Sequence, residues 1–445
     1  MLKRIEQFTD SPIGLALAKG GSIVLFFKVL GALGGYVLLY TLAKVGGQEA
    51  VGIYEVAFTV VLIGSTASRW GLDTVLVREI ARDKHAGLAS KALYLSVLKR
   101  VFTLSICWAT ALFLLATLLT NLFFMDTPSH VLAFAALSIV PFTIMLLNAE
   151  VFRGLGKSLM FSLNQQGTVY VLIGIFIIFV PFPEEYTAAA AAQMSLILSI
   201  GVSGFFSFWS TWYIMKRMNG EQASSSGWKG KLFSLGTPMF ISSSLFLVVS
   251  WSDTLMLGYY GPEVEVGLYR IVFKVATLVT FAQAALNTVA APMISALRNQ
   301  RDELYEMVDK VAQLNLFTAG SIFLIVLFFG SSLIGIFGVE SPSDAYPWLI
   351  LLAIGQLTNA FAGPVMNILN MTGYEKSARN TMLVMAVLNI ILNFLLIPQR
   401  GPAGAAVATT ATMIGWNVWA AALVFKFHGV VAVPFFTHIR RNEKG

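Results

Sequence analysis

Apolar residues in this chain come in runs parted by short polar joints. A helix needs about twenty consecutive apolar residues to cross a bilayer. Runs of that kind fall near 20–43, 50–70, 101–124, 131–152, 162–182 and 187–215. A second set falls near 235–259, 266–291, 311–337, 345–371, 380–397 and 402–425. The pattern predicts an all-α polytopic membrane protein of about twelve transmembrane helices.

Composition strengthens this reading. Charged residues make up 12% of the chain and hydrophobic ones 57%, with a mean hydropathy of +0.75. Soluble domains carry about 25% charged residues, so most of this surface must face lipid. Residues 1–20 are mixed and polar and read as no removable signal peptide. Of the 30 Lys and Arg, nearly all fall in one set of alternate joints; the other set holds only Lys44 and Arg400. Basic residues mark cytoplasmic loops, which places both termini in the cytoplasm. No joint is long enough for an extramembrane catalytic domain.

The chain repeats itself. Val51-Gly52-Ile53-Tyr54, with Phe58, echoes Val266-Gly267-Leu268-Tyr269, with Phe273, at an offset of 215 residues. Gly154-Leu155-Gly156-Lys157-Ser158 can be set against Thr372-Gly373-Tyr374-Glu375-Lys376-Ser377, at an offset of 217 from Gly156 to Gly373. Both echoes fall at the same place in a six-helix half. The expected organisation is an N-terminal bundle over 1–215, a cytoplasmic linker over 216–234 and a C-terminal bundle over 235–445. Since six is even, a pseudo-twofold axis along the membrane normal would relate the two. Two parallel halves flanking a site make a transporter plan.

Six charged residues lie within spans: Lys28, Arg270 and Lys274, and Glu55, Glu150 and Asp253. Each costs about 2.5–3.5 kcal/mol near a helix centre on insertion scales, so each needs a partner or a wet cavity. Arg270 and Lys274, at i and i+4, share a helix face. Lys274 lies about 12 Å in from Val266. The pair reads as a cationic patch for a phosphate or pyrophosphate, or as an internal ion pair with Glu55 or Asp253. Lys28 reads as a cavity cation or a lysine snorkelling to the interface. Glu55 sits opposite Arg270 in the repeat, which fits a charge pair between the halves or a proton or cation site. Asp253 fits a coupling role or a local pairing, and Glu150 a salt bridge to Arg153.

Neutral amides recur in the spans, among them Gln283, Asn287, Gln356, Asn359, Asn389 and Asn393. They suit either interhelical hydrogen bonds or a cavity for sugar hydroxyls. Pro141, Pro238 and Pro364 interrupt spans. Gly31 and Gly35 form a close-packing pair. Cys107, the one cysteine, reads as a small buried apolar residue. Gly156-Lys157-Ser158 resembles the end of a phosphate loop, but Val151 stands where its first glycine is required. No zinc motif or nucleophile elbow is present, and no metal site is expected. The basic joints follow topology, so nucleic acid is not an expected partner.

With Trp251-Ser252-Asp253 in the seventh span, the Val-Gly-Leu-Tyr opening of the eighth and Arg153-Gly154-Leu155-Gly156-Lys157 after the fourth, the chain resembles the multidrug/oligosaccharidyl-lipid/polysaccharide flippase superfamily. It is most similar there to the polysaccharide transporter branch, the Wzx-type O-antigen flippases. The resemblance implies a V-shaped, two-lobed, multidrug-exporter-like fold in a bacterial inner membrane. It implies a transporter, not an enzyme. Its cargo would be an undecaprenyl-pyrophosphate-linked oligosaccharide, flipped from the cytoplasmic to the periplasmic leaflet. Arg270 and Lys274, and more distantly Lys28, match the cationic cavity residues of that family. The expected partners are this lipid-linked sugar, membrane lipids, and the polysaccharide polymerase and chain-length machinery, with the transporter itself monomeric. No cofactor is expected beyond a coupling ion, proton or sodium, with Glu55 and Asp253 as its candidate sites.

Two other functions compete. A cation-coupled multidrug exporter would need Glu55 or Asp253, yet the first span has Lys28 and no acid. A membrane-embedded glycan polymerase or ligase would need a sizeable outer loop, which the chain lacks.

Overall fold

In the computed structural model the described residues are 12–86, 91–123, 127–179, 187–217, 232–283, 286–287, 290, 294, 301–339 and 341–429. Among them the secondary structure is helical throughout. Helix α1 (Pro12–Arg69) is followed by α2 (Leu72–Ala86), α3 (Lys91–Phe123), α4 (Ser129–Gly154), the short α5 (Ser158–Leu163), α6 (Gln166–Phe179) and α7 (Ala188–Arg217). Then come α8 (Leu232–Tyr260), α9 (Glu263–Thr277) with a 3-10 turn at Leu278–Thr280, α10 (Arg301–Gly335), α11 (Pro342–Phe361), the short α12 (Val365–Met371) and α13 (Glu375–His428). Most of the expected linker, residues 218–231, lies outside the described residues.

Six of these helices are long and apolar enough to cross a membrane, or seven if the bent pair α11 and α12 is one span. Two of the six contain a joint that the sequence places between spans. Helix α1 breaks at Gly46 and Gly47, where Gly47 has φ 70° and ψ −170°. Helix α13 breaks at Gly401, with φ 51° and ψ −132°. Side chains essentially exclude these conformations. Two expected outer loops are therefore glycine elbows. Pro402 then starts the second arm of α13, where a missing N–H is harmless.

The described helices pack as two compact units. One comprises Lys19–Leu247 with Gly261–Gly267; the other is built from Val248–Tyr260 and from Leu268 through α13. The division passes through α8 and α9. In the first unit α1 is almost wholly buried. Leu72, Val75, Leu76 and Ile80 of α2 form a core with Tyr94 and Val97 of α3 and with Leu147, Val151 and Phe152 of α4. The basic joint after the second span is thus an amphipathic helix, and α3 starts at Lys91 instead of near 101. In the second unit Met307 and Val308 of α10, Val365, Ile368 and Leu369 of α12, and Ala420 and Val424 of α13 form the core.

Lipid-facing helices read differently. Phe102, Ile106, Trp108, Phe113 and Leu114 stand exposed along α3. Cys107 is exposed among them. The expectation of a buried cysteine is wrong here, because in lipid an outward thiol costs no more than an inward one. The expected pairing of Gly31 with Gly35 also shifts by one residue. Gly31 meets Gly167 of α6, where an added Cβ would lie 2.7 Å from its Cα, and Gly34 meets Val171. Pro141 is accommodated inside α4. Pro364 precedes α12 at the 44° bend from α11, and the side chain of Pro238 lies outside the described set.

The repeat is visible in three dimensions. Helix α9 begins at Glu263, 215 residues beyond Gln48, where α1 resumes after its elbow. A Cβ on Gly52 would strike the carbonyl of Glu263, and a Cβ on Gly267 would strike that of Gln48. Each repeated glycine thus meets the carbonyl one turn before its counterpart, a local twofold crossing. Thr127 donates a hydrogen bond to the buried Glu263 carboxylate beside it. The second echo is a shared helix cap. The Lys157 N–H bonds the Phe152 carbonyl at 2.8 Å, and the Tyr374 N–H bonds that of Leu369 at 2.9 Å. Both are the six-to-one bond of a Schellman cap, with the same offset of 217.

Trp70 holds an unusual backbone, with φ 45°. A non-glycine residue there costs about 1–3 kcal/mol and persists only when its surroundings fix it. Its ring stacks on Phe240 at 4.4 Å, and its Nε1 donates to Thr237 Oγ1 at 3.1 Å. The first turns of α8 are thereby joined to the first unit.

The glycine crossing gives a stability test. Gly52→Ala and Gly267→Ala should each cost about 1–3 kcal/mol through overpacking, read as a lowered thermal midpoint in detergent. Gly201→Ala, whose Cβ meets nothing within 4 Å, should be neutral. Equal midpoints for all three would rule the close crossing out.

Candidate functional site

Three helices of the second unit converge on Asp253. It lies on α8 and is 2% exposed. Its Oδ1 accepts from the Thr254 N–H at 2.8 Å. Its Oδ2 accepts from the Tyr269 hydroxyl of α9 at 2.5 Å and from Thr409 Oγ1 of α13 at 3.3 Å. Both oxygens are satisfied, as burial of a carboxylate requires. Arg270, next to Tyr269 on α9, is the nearby opposite charge and interacts with Asp253 electrostatically.

Arg270 is itself buried, at 9% exposure. Its guanidinium carbon lies 4.1 Å from the centre of the Trp251 ring and 5.5 Å from that of Phe273. Its Nη1 reaches Thr254 Oγ1 at 3.5 Å. Cation–π contact of this kind is worth about 0.5–2 kcal/mol, more as water is excluded. The helical period explains the arrangement. Arg270 and Phe273 stand one turn apart on α9, while Trp251 and Thr254 stand one turn apart on α8.

A neutral network continues the site. Ser252 Oγ donates to Asn389 Oδ1 at 2.6 Å. Asn389 Nδ2 donates to Thr412 Oγ1 at 3.3 Å, and Asn393 Nδ2 donates to Asn389 Oδ1 at 3.1 Å. Farther along α9, Gln283 Nε2 donates to the Asn359 carbonyl of α11 at 3.1 Å, and Thr280 Oγ1 to Gln356 Oε1 at 2.9 Å. The Gly363 N–H has turned to the Ala360 carbonyl, so Gln283 supplies the donor that the end of α11 loses. Gln283, Gln356 and Asn389 thus hold helices together.

The residues predicted from sequence divide between the two units. Arg270 and Asp253 come together. Lys274 lies one turn beyond Arg270 and is half-buried. Lys28 and Glu55 belong to α1 in the first unit, Lys28 exposed and Glu55 buried. The Arg153–Glu150 salt bridge forms, at 2.9 Å. Sequence reasoning missed Tyr269, Thr409 and the ring of Trp251. The repeat held a signal for Tyr269. Its counterpart Tyr54 is buried with no hydrogen-bond partner for its hydroxyl among the described residues, and the counterpart of Asp253 is Leu38. Among the described residues no group of three or more His, Cys, Asp or Glu could hold a metal ion.

Comparison with known proteins places this geometry. The model of a family described as polysaccharide biosynthesis protein matches residues 17–298, more than half of the chain. The chain belongs to that family. A second model, MatE, matches residues 238–395. The two overlap on α8 and α9, where this polysaccharide biosynthesis protein carries Asp253, Arg270 and Lys274. The probable flippase AglR of Haloferax volcanii is 31% identical over 171 residues, 37% of this chain and 35% of that protein. A second Haloferax volcanii flippase, Agl15, is likewise matched over only 38% of its length. Stage V sporulation protein B of Bacillus subtilis is 23% identical over 444 residues, 92% of this chain and 83% of that one. Among solved structures, the lipid II flippase MurJ in an inward closed conformation superposes with a TM-score of 0.69 at 14% identity. That match covers 92% of this chain and 87% of MurJ. The MATE multidrug transporter DinF-BH gives 0.67 at 15% identity, covering 94% and 97%. The chain therefore has the fold shared by these transporters and is a multi-pass membrane protein.

The Asp253 hub predicts a graded response. Tyr269→Phe removes one of several donors and should cost about 1 kcal/mol. Asp253→Ala leaves those donors without an acceptor and Arg270 without its neighbour, and should cost about 3–5 kcal/mol. Thermal unfolding in detergent reads both; equal, small losses would show that the carboxylate is no hub.

Proposed function

We propose that this protein is a transporter that flips a polyprenyl-pyrophosphate-linked oligosaccharide between membrane leaflets. The cargo of this reading is an undecaprenyl-linked repeat unit of O-antigen or another surface polysaccharide, carried from the cytoplasmic to the periplasmic side of a bacterial inner membrane. Twelve spans, cytoplasmic termini, a monomeric transporter and hand-over to polymerase and chain-length machinery belong to the same reading. The observation that carries it is the pair Arg270 and Lys274, two cations one turn apart on α9 within the stretch matched to a polysaccharide biosynthesis family. A pyrophosphate needs such donors, Arg for a fork and Lys for a point charge. MurJ and AglR are described as flippases, which supports the class of cargo.

Mechanistically, alternating access would admit the sugar head group while the polyprenyl tail stays in lipid. Lys28, exposed on α1, is the third cation of the proposed path. Asp253 is the proposed coupling group, where a proton or sodium ion would meet a carboxylate ringed by hydroxyl and amide oxygens. Glu55 is the alternative.

A second reading is cation-coupled multidrug export. The likeness to DinF-BH and the MatE match over residues 238–395 favour it. Cationic drugs would be repelled by Arg270 and Lys274, which favours the anionic cargo.

Mass spectrometry of polyprenyl-linked sugars, with and without the gene, tests the proposal. A complete repeat unit should accumulate on its carrier when the gene is absent. Arg270→Ala and Lys274→Ala should reproduce that accumulation at wild-type membrane abundance. Unchanged lipid-linked sugars in the deletion strain would remove the flippase reading and turn attention to drug efflux.

A further inference from the structure

The environment of Arg270 is more specific than a positive charge requires. A cation held only for charge balance needs a carboxylate, and Asp253 supplies one nearby. Arg270 has in addition the Trp251 ring at 4.1 Å from its guanidinium carbon and the Phe273 ring at 5.5 Å. The Thr254 hydroxyl lies against Nη1. A guanidinium is planar and its N–H bonds lie in that plane. Rings near its faces therefore leave the edge, which carries every donor, as the part that can address a ligand. They also remove rotamer freedom that an ordinary arginine would lose on binding.

The repeat isolates this feature. At an offset of 215 residues Trp251, Thr254 and Arg270 correspond to Tyr36, Leu39 and Glu55, whereas Phe273 corresponds to Phe58. In the first copy Phe58 stacks on Tyr54 at 5.6 Å and meets Phe142 at 5.5 Å, as ordinary core. An inherited core phenylalanine thus serves in the second copy beside a residue that only that copy has.

We propose that Trp251 and Phe273 are positioning residues. They brace the Arg270 guanidinium so that its edge forms a fixed two-pronged donor for the pyrophosphate of the cargo. This rests on the reading of Arg270 as a cargo-binding group given above. The brace selects Arg over Lys: an ammonium has neither flat faces nor a fork. It also assigns Trp251 a role that bulk alone does not fill.

The test is binding of farnesyl pyrophosphate to the full-length protein in lipid nanodiscs, with farnesol as uncharged control and thermal midpoints as a check on folding. Arg270→Ala should weaken pyrophosphate binding about tenfold or more, and Arg270→Lys nearly as far. Trp251→Phe keeps a ring and should stay within about threefold of wild type, whereas Trp251→Leu keeps apolar bulk without the ring and should fall about tenfold. Farnesol binding should not move in any variant. If Trp251→Leu binds as well as Trp251→Phe while Arg270→Ala is weak, the brace is overturned and the phosphate site stands. Undiminished binding by Arg270→Ala would overturn the phosphate site itself, and the brace with it.

Discussion

Lipid offers helices no hydrophobic reason to associate, so what joins them here is close contact and buried polar pairing. The rest of the structure depends on this constraint. It explains why glycine, rather than a large apolar residue, marks the important crossings. Gly31 with Gly167, and Gly52 and Gly267 with the carbonyls of Glu263 and Gln48, bring backbone to backbone. Dispersion contacts of about 0.1–0.2 kcal/mol per atom pair accumulate only at such range. It also explains why the hydroxyls of Thr59, Ser68, Ser195 and Ser203 turn back to carbonyls one turn earlier in their own helices. A polar group with no water must be satisfied locally or by a neighbouring helix.

The same constraint shapes the breaks. Backbone that leaves the helix inside a membrane needs partners. The elbow at Gly401 restarts at once on Pro402, which has no donor to strand. At the α11 to α12 bend, Gln283 reaches across from α9 to the Asn359 carbonyl. An amide that sequence alone leaves as either helix glue or sugar ligand is thus occupied with the backbone. Its free Oε1 has no partner among the described residues.

Much of this was legible in the sequence, and the reasons for the rest are physical. Apolar runs marked the helices because a span must cover a fixed thickness. They did not reveal that α1 and α13 continue through elbows, since a glycine pair reads equally as a loop. The apolar period Leu72, Val75, Leu76 and Ile80 was present, but the surrounding basic residues dominated the reading, so α2 passed as a joint. Cys107 was placed inward because an apolar residue facing lipid looks the same as one facing protein. In the site, Asp253 and Arg270 stood out because charge is rare in a span. Trp251 and Tyr269 did not, in a chain with 9 Trp and 13 Tyr. Their significance lies in what they touch.

The repeat carries the argument one step further. The two copies share their crossing glycines, their Schellman caps and the Tyr at the start of the repeated helix. They differ where chemistry would be done. Tyr54 lies buried with its hydroxyl unpartnered among the described residues, and Leu38 occupies the place of the acid. Tyr269 donates to Asp253 beside a ring-braced arginine. Positions that hold helices together tolerate little change, since each must fit a carbonyl or a cap on its neighbour. Positions one turn away are free to diverge, because adding a charge there needs only a counter-charge and a donor within reach. In the second copy Asp253, Tyr269, Thr254 and Arg270 supply one another. That mutual supply is why four polar residues sit together in one copy, and why none of them could have been introduced there singly without a penalty.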